Sequence, residues 1–217
     1  MNVRTLKLMA LLALLVPILS GCIGAAAVGV GAGALIFADR RATETVMTDE
    51  GIEIRAANRI REKFGDRVHV NVTSYNRTVL LTGEVPDAAA RAEIEKLLAS
   101  VANVKAISNE LAIGAISTLS NRSNDVYITS KVKARFIDAG TISPVNVKVV
   151  TENGVVYLMG QVTQRESNAA VDVARTTAGV QKVVRVFEII SDAEARRLDP
   201  PKAAPQQNPA PATATKP

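Results

Sequence analysis

Few residues in this chain could carry covalent chemistry. Among its 217 residues there is one cysteine, Cys22, and one histidine, His69. That removes intramolecular disulfides, Cys/His zinc sites and Cys–His nucleophile pairs in one step, and no metal or cofactor is expected. His69 lies between Val68 and Val70, so strand alternation turns it outward, and a solvated histidine is the expectation. Carboxylates are plentiful but fall on predicted solvent faces, as Glu93 and Glu95 do. Neither G-x-x-x-x-G-K-[ST] nor a dinucleotide fingerprint occurs in the sequence. Gly29, Gly31 and Gly33 sit in an apolar segment, whereas a phosphate loop needs glycines between a strand and a helix. No catalytic residue is expected, and the chain reads as a protein that is not an enzyme.

What remains is binding chemistry. Tyr127, Lys131 and Arg135 recur at i, i+4, i+8, which places one phenol ring and two cations on one helix face. A tyrosine near a helix start can set its ring at headgroup depth with its hydroxyl wet. Each basic residue near an anionic membrane surface adds about 1 kcal/mol. Aligned residues in an upstream helix are Arg55, Arg59 and Lys63, with no aromatic. Residues 49–113 hold nine basic and ten acidic side chains, and residues 122–190 hold nine and six, so positive charge and the aromatic coincide. The spacing alone fits a tyrosine packed between two domains equally well, with the cations on a solvated face.

The elements that position these residues occur twice. Residues 145–162, VNVKVVTENGVVYLMGQV, read as two alternating strands joined by a tight turn at Asn153-Gly154, because a type I′ turn needs φ > 0 at both central residues. Residues 68–85, VHVNVTSYNRTVLLTGEV, repeat the pattern, with Gly83 matching Gly160. A glycine inside a strand often marks a bulge or a close approach by other backbone or a helix, so Gly83 and Gly160 are read as structural, and Gly160→Glu is expected to lower stability. Each hairpin follows a helix, one carrying Ala56, Ile60 and Phe64, the other Ile128, Val132 and Phe136. Thr48-Asp49 is the expected cap of the first helix, and the second begins near Asn124. A second helix and a third strand follow each hairpin. Pro86-Asp87 opens one such helix, and the T-x-x-E capping box Thr163 to Glu166 opens the other. The expected fold class is α+β: two tandem modules, each α-β-β-α-β, with a three-stranded mixed sheet covered on one face by two helices. Modules of this size have marginal cores, so the copies are expected to pack on each other.

The ends of the chain differ in kind. Residues 1–21 have a basic start (Arg4, Lys7) and an apolar run, and Leu19-Ser20-Gly21-Cys22 closes them. These are the parts of a secretory signal peptide, and the last four residues resemble the lipobox of bacterial lipoproteins. The resemblance implies lipidation of Cys22, which is diacylated, becomes the first residue after cleavage and is usually acylated again on its amine, by chains such as palmitate that together give stable anchoring. Ile23 in place of Asp implies, by the sorting rule of such lipoproteins, the periplasmic face of the outer membrane. Residues 22–48 read as an apolar, then polar, tether, and residues 191–217 as a disordered Pro/Ala-rich tail.

The module pattern itself resembles the BON domain. The second copy shows Val145-x-Val147-x-Val149, Val156-x-Leu158-x-Gly160-x-Val162 and Gly179-Val180-x-x-Val183. The first copy departs in the last place, with Asn103 for glycine. Domains are accordingly set at 49–115 and 122–190. Lipobox plus two such domains is similar to dual-BON outer-membrane lipoproteins. This similarity implies a non-enzymatic, lipid-anchored protein that supports envelope integrity and whose second domain binds anionic phospholipid. It also favours the lipid reading of Tyr127, Lys131 and Arg135, and it implies no nucleic-acid partner. The alternative is an adaptor for outer-membrane assembly or division-associated proteins, or a periplasmic stress protein, with no specific lipid binding.

Overall fold

Both hairpins turn where the sequence permits left-handed backbone. In the computed structural model, which describes residues 39–199, Asn153 and Gly154 take φ of 48° and 73°, and Asn76 and Arg77 take 48° and 66°. Positive φ at both central positions is the requirement of a type I′ turn. Arg77 is an unfavourable residue there, and a buried acid compensates. Asp49 accepts hydrogen bonds from the amides of Asn76 (2.8 Å) and Arg77 (2.7 Å) and from the Ser74 hydroxyl (2.7 Å). Asp125 does the same in the second copy, accepting from the amides of Asn153 and Gly154 at 2.8 Å each. Each module therefore ties its hairpin turn to its first helix by one aspartate.

The first module runs α1 (Thr43–Phe64), β1 (His69–Tyr75), β2 (Thr78–Val85), α2 (Ala88–Ala99), β3 (Ala106–Asn109) and β4 (Ala112–Ile113). The second runs α3 (Leu119–Ala139), β5 (Lys148–Glu152), β6 (Val155–Val162), α4 (Gln164–Arg175) and β7 (Lys182–Ile189), and α5 (Asp192–Leu198) follows. β1 pairs antiparallel with β2, and β3 and β4 pair parallel with β2 as one interrupted third strand. β6 likewise pairs antiparallel with β5 and parallel with β7. The α+β class, the mixed sheets and the α-β-β-α-β order are as the sequence indicates.

Two apolar cores lie between helices and sheets. Ile52, Ala56 and Ile60 of α1 meet Val79, Leu81 and Val85 of β2 and Ile94 and Leu98 of α2. Ile128, Val132 and Phe136 of α3 meet Val156, Leu158 and Val162 of β6 and Ala170 and Ala174 of α4. Matching Asp49 to Asp125 pairs Ile52 with Ile128, Ala56 with Val132 and Ile60 with Phe136. The helix stripes thus align one turn away from the sequence alignment, because α1 runs on to Phe64 before its chain turns.

Four boundaries differ from expectation. α1 begins at Thr43, so residues 43–48 of the expected tether are helical, and Asp49 holds the hairpin instead of capping a helix. α3 begins at Leu119, where the Thr118 side chain accepts from the Asn121 amide at 3.2 Å. β5 begins at Lys148, and Val145 lies outside it. Residues 192–198, expected within a disordered tail, form α5, because Ser191 caps the Glu194 amide and Ala195 is buried. Cys22, the leader and the tail beyond residue 199 lie outside the described residues.

Glycine at the strand centres is required by sterics. A Cβ on Gly160 would stand 2.2 Å from the Asn146 carbonyl oxygen, and one on Gly83 would stand 2.0 Å from that of His69, where φ is also +112°. The close approach comes from the neighbouring chain segment of the same hairpin, not from a helix. Asn103 and Gly179 explain the one departure between copies: both have positive φ, 73° and 96°, and asparagine is among the few residues that tolerate it.

The two modules join through the faces of their sheets that point away from the helices. Tyr75, Leu80, Tyr157 and Met159 are buried in one cluster there, with Val150, Val155, Val184 and Val186 packed around it. Polar contacts rim it: Lys148 Nζ donates to Glu53 Oε1 at 2.8 Å, and Asn76 Nδ2 to Glu188 Oε2 at 2.6 Å.

The segment entering α1 fastens to the second module. Arg40 is buried, with its guanidinium donating to Glu166 (2.8 Å, twice), to the Gln161 carbonyl (2.8 Å) and to Asp199 (2.7 Å). Glu166 also closes the expected capping box, accepting from the Thr163 amide at 2.7 Å. Burial raises the Glu166 pKa, but the bonds from Arg40 and Thr163 outweigh it and hold the carboxyl below its ordinary value.

Two outcomes are expected. Gly160→Ala forces the facing carbonyl to move, costing about 2 kcal/mol and lowering Tm by about 6 °C for a chain of this size; an unchanged melting curve contradicts the close approach. Glu166→Gln leaves Arg40 short of charge and costs about 3 kcal/mol at neutral pH. Because the folded pKa lies below the unfolded one, this contribution is complete above the ordinary carboxylate pKa of about 4.3 and is lost as pH falls through the folded value. Urea melts of the parent and the Glu166→Gln protein should converge as acid protonates the carboxyl, and a gap that acidification leaves unchanged as far as the fold survives contradicts the assignment.

Candidate functional site

α3 has two faces of different fate. Asp125, Ile128, Val132 and Phe136 are buried against the sheet. Leu119, Val126, Tyr127 and Ile137 are 75%, 67%, 62% and 66% exposed. By helical spacing Leu119, Val126 and Ile137 lie opposite the buried stripe, with Tyr127 beside them and Lys133 exposed among them. A helix whose outer face repeats apolar residues among cations is suited to an interface between water and something less polar.

Of the three residues singled out by spacing, two come together on that face. Tyr127 is exposed and does not pack between the modules, and Lys131 Nζ stands 4.5 Å from its ring centroid, a cation–π contact. Lys131 also donates to the Ala178 carbonyl. Arg135 is drawn into the fold. Its Nη1 donates to the Val173 carbonyl at 3.0 Å and to the Thr177 hydroxyl at 2.8 Å, so it satisfies groups at the C-terminal end of α4. Sequence spacing missed Leu119, Val126, Lys133 and Ile137. Their signal was a second apolar set on α3, out of phase with the core stripe. In the corrected register Val126 and Tyr127 correspond to Glu50 and Gly51 of α1, so the first module lacks that pair, although it exposes Met47 and Ile54 elsewhere on the helix.

His69 is not a solvated histidine. Strand alternation turns it outward as expected, but outward is the seam between modules, where its side chain is 16% exposed. Its Nδ1 stands 2.9 Å from Glu84 Oε2 and 3.9 Å from Glu152 Oε1. Glu84 and Glu152 are themselves buried, one from each module. Burial raises the Glu84 pKa, but Asn153, the Ser117 amide and His69 bond its oxygens and bring it below the ordinary value. Glu152 is pushed up, by burial first and by the charge of Glu84, against a bond from Asn71 at 2.8 Å. His69 and Glu152 line a groove of about 590 Å³ together with Arg122, Val126, Thr129 and Lys133 of α3. The signal for these buried acids was the run Val155 to Met159, five apolar residues without alternation, which marks a strand covered on both faces.

Among the described residues no helix is long and apolar enough to cross a membrane. The chain is similar to Outer membrane lipoprotein DolP of Haemophilus influenzae, with 34% identity over 192 residues, 88% of this chain and all of that protein. It is 32% identical over 154 residues to a 21 kDa hemolysin of Actinobacillus pleuropneumoniae, covering 70% of this chain and 79% of that one. It is 29% identical over 117 residues to Osmotically-inducible protein Y of Escherichia coli, covering 52% and 58%. None of the three is named for an enzymatic activity. The BON domain model matches residues 54–115 and 124–191, one match to each module built above. With two matched modules and a relative aligned end to end, the chain belongs to the BON-domain family and carries two BON domains in tandem.

Proposed function

We propose that this chain is a non-enzymatic outer-membrane lipoprotein, anchored through Cys22 and facing the periplasm, whose second BON domain lays the outer face of α3 on anionic phospholipid and so supports envelope integrity. The observation that carries the reading is the unpaired set Leu119, Val126, Tyr127 and Ile137, exposed on one helix face beside Lys131 and Lys133. Apolar side chains and a phenol ring enter the headgroup region, while ammonium groups meet phosphates at about 1 kcal/mol each. Lys131 holds its ammonium against the Tyr127 ring and bonds the Ala178 carbonyl, which leaves donor capacity on its three N–H groups for a phosphate. Arg135 serves the fold, so the contact set proposed is Tyr127 and Lys131 with Leu119, Val126, Lys133 and Ile137. The similarity to a protein named as an outer membrane lipoprotein supports the anchoring and the address. Such contacts are individually weak. An acyl anchor raises the effective concentration of the face at the membrane and makes weak contacts sufficient.

The test uses both modules. A second module cut out alone exposes Tyr157 and Met159 of the seam, and those would bind lipid for the wrong reason. The chain beginning after Cys22, which has no acyl chains, should cosediment with vesicles containing phosphatidylglycerol or cardiolipin and not with phosphatidylcholine, and added salt should weaken it. Tyr127→Glu should reduce binding at least about tenfold without changing the melting temperature, and Arg55→Glu should do little. Binding lost in the Arg55 variant and kept in the Tyr127 variant contradicts the assignment to the second module. No vesicle binding by the parent chain favours a protein-docking role for the same face.

A further inference from the structure

Glu84 and Glu152 pose a problem of charge. Both are more than nine-tenths buried, they come from different modules, and one imidazole lies between them. Among the described residues no lysine or arginine forms an ion pair with either, although Arg122 and Lys133 line the same groove. Two anions in a desolvated seam need a compensating positive charge. Their hydrogen bonds hold them in place without neutralising them: Asn71 and Asn153 reach across the seam to Glu152 and Glu84, and the Ser117 amide donates to Glu84 at 3.2 Å.

The geometry matches an ion. One donor atom from each of His69, Glu84 and Glu152 lies within 4.8 Å of the other two. The Nδ1 distances of 2.9 and 3.9 Å bracket the separation of about 3.3 Å between ligands of a tetrahedral zinc ion. A second observation points the same way. The Thr82 hydroxyl is buried, with Thr82 1% exposed, and lies against the Glu152 carboxylate. It is a further oxygen beside the donor set. The groove of about 590 Å³ on which His69 and Glu152 open provides a way in.

We propose that His69, Glu84 and Glu152 form a divalent-cation site, suited to Zn²⁺, that bridges the two BON modules. One nitrogen and two carboxylate oxygens are a borderline donor set of the kind that suits zinc, and three protein ligands leave a fourth position for water or the Thr82 hydroxyl. Asn71 and Asn153 orient the two carboxylates as outer partners. Binding would add a bond between the modules where their facing sheets bury two carboxylates, Glu84 and Glu152. None of the three ligands belongs to the contact set on α3, although Val126 and Lys133 line the groove that leads to them, so the site is tested apart from lipid binding.

Zn²⁺ titrated calorimetrically into the full chain, purified in detergent and stripped with a chelator, should bind at one site per chain and raise the melting temperature. Glu152→Gln keeps the shape and the acceptor for Asn71, and should weaken zinc binding by about a hundredfold while melting normally without metal. His69→Gln should lose binding as well, which covers the case in which the first variant fails to fold. A parent chain with no saturable binding and no rise in melting temperature overturns the proposal. So does undiminished binding in both variants, since that places the zinc on other carboxylates.

Discussion

The packing of one sheet's back against the other is the interaction on which the rest of this structure depends. A three-stranded sheet covered by two helices on one side still has a second side. In each module that side carries apolar residues: Leu80 and Tyr75 in the first, Tyr157 and Met159 in the second. Left in water, each of these four would forfeit about 2 kcal/mol of burial, a large fraction of the stability of a module of this size. Joined, they make a third core between the two that the helices cover. Everything polar at the seam, from the Lys148–Glu53 pair to the His69, Glu84 and Glu152 cluster, is held in place by that apolar contact.

The seam also decides which surfaces stay free. With helix faces turned to the two inner cores and sheet faces turned to each other, the outer sides of α1 and α3 are left to meet solvent or a partner. They are not equivalent. The aspartate at each hairpin turn fixes the helices in the same register, and in that register α3 presents Val126 and Tyr127 where α1 presents Glu50 and Gly51. The copies thus agree in the core and differ on their outer helix faces, where α1 exposes Met47 and Ile54 and α3 exposes Leu119, Val126, Tyr127 and Ile137. Arg40 adds a constraint of its own. It holds the start of the described chain to Glu166 and Asp199, beyond the first module.

Local chemistry was legible in the sequence, and contacts between distant elements were not. The Asn153-Gly154 turn, the Thr163 to Glu166 capping box and the glycines at 83 and 160 depend on neighbours within one hairpin or one helix start, and they form as read. The Asp49 cap was misread because an aspartate before an apolar stripe looks the same whether it serves its own helix or a turn some 27 residues on, at Asn76. His69 was misread because alternation gives the side of a strand and not what lies against that side. Arg135 was misread as free because the carbonyls it bonds belong to α4. In each case the missing information was tertiary. The one sequence signal that did report it, the unbroken apolar run of β6, says that both faces are covered without saying by what.

The central claim is that the seam makes the two BON modules one unit, and cooperativity of unfolding tests it most directly. Differential scanning calorimetry of the chain beginning after Cys22 should show a single transition whose calorimetric and van't Hoff enthalpies agree. Met159→Glu, which puts a charge into the seam and leaves both helix-covered cores intact, should split it into two. Two separate transitions in the parent chain, or a single one that Met159→Glu leaves unaltered, would contradict the account.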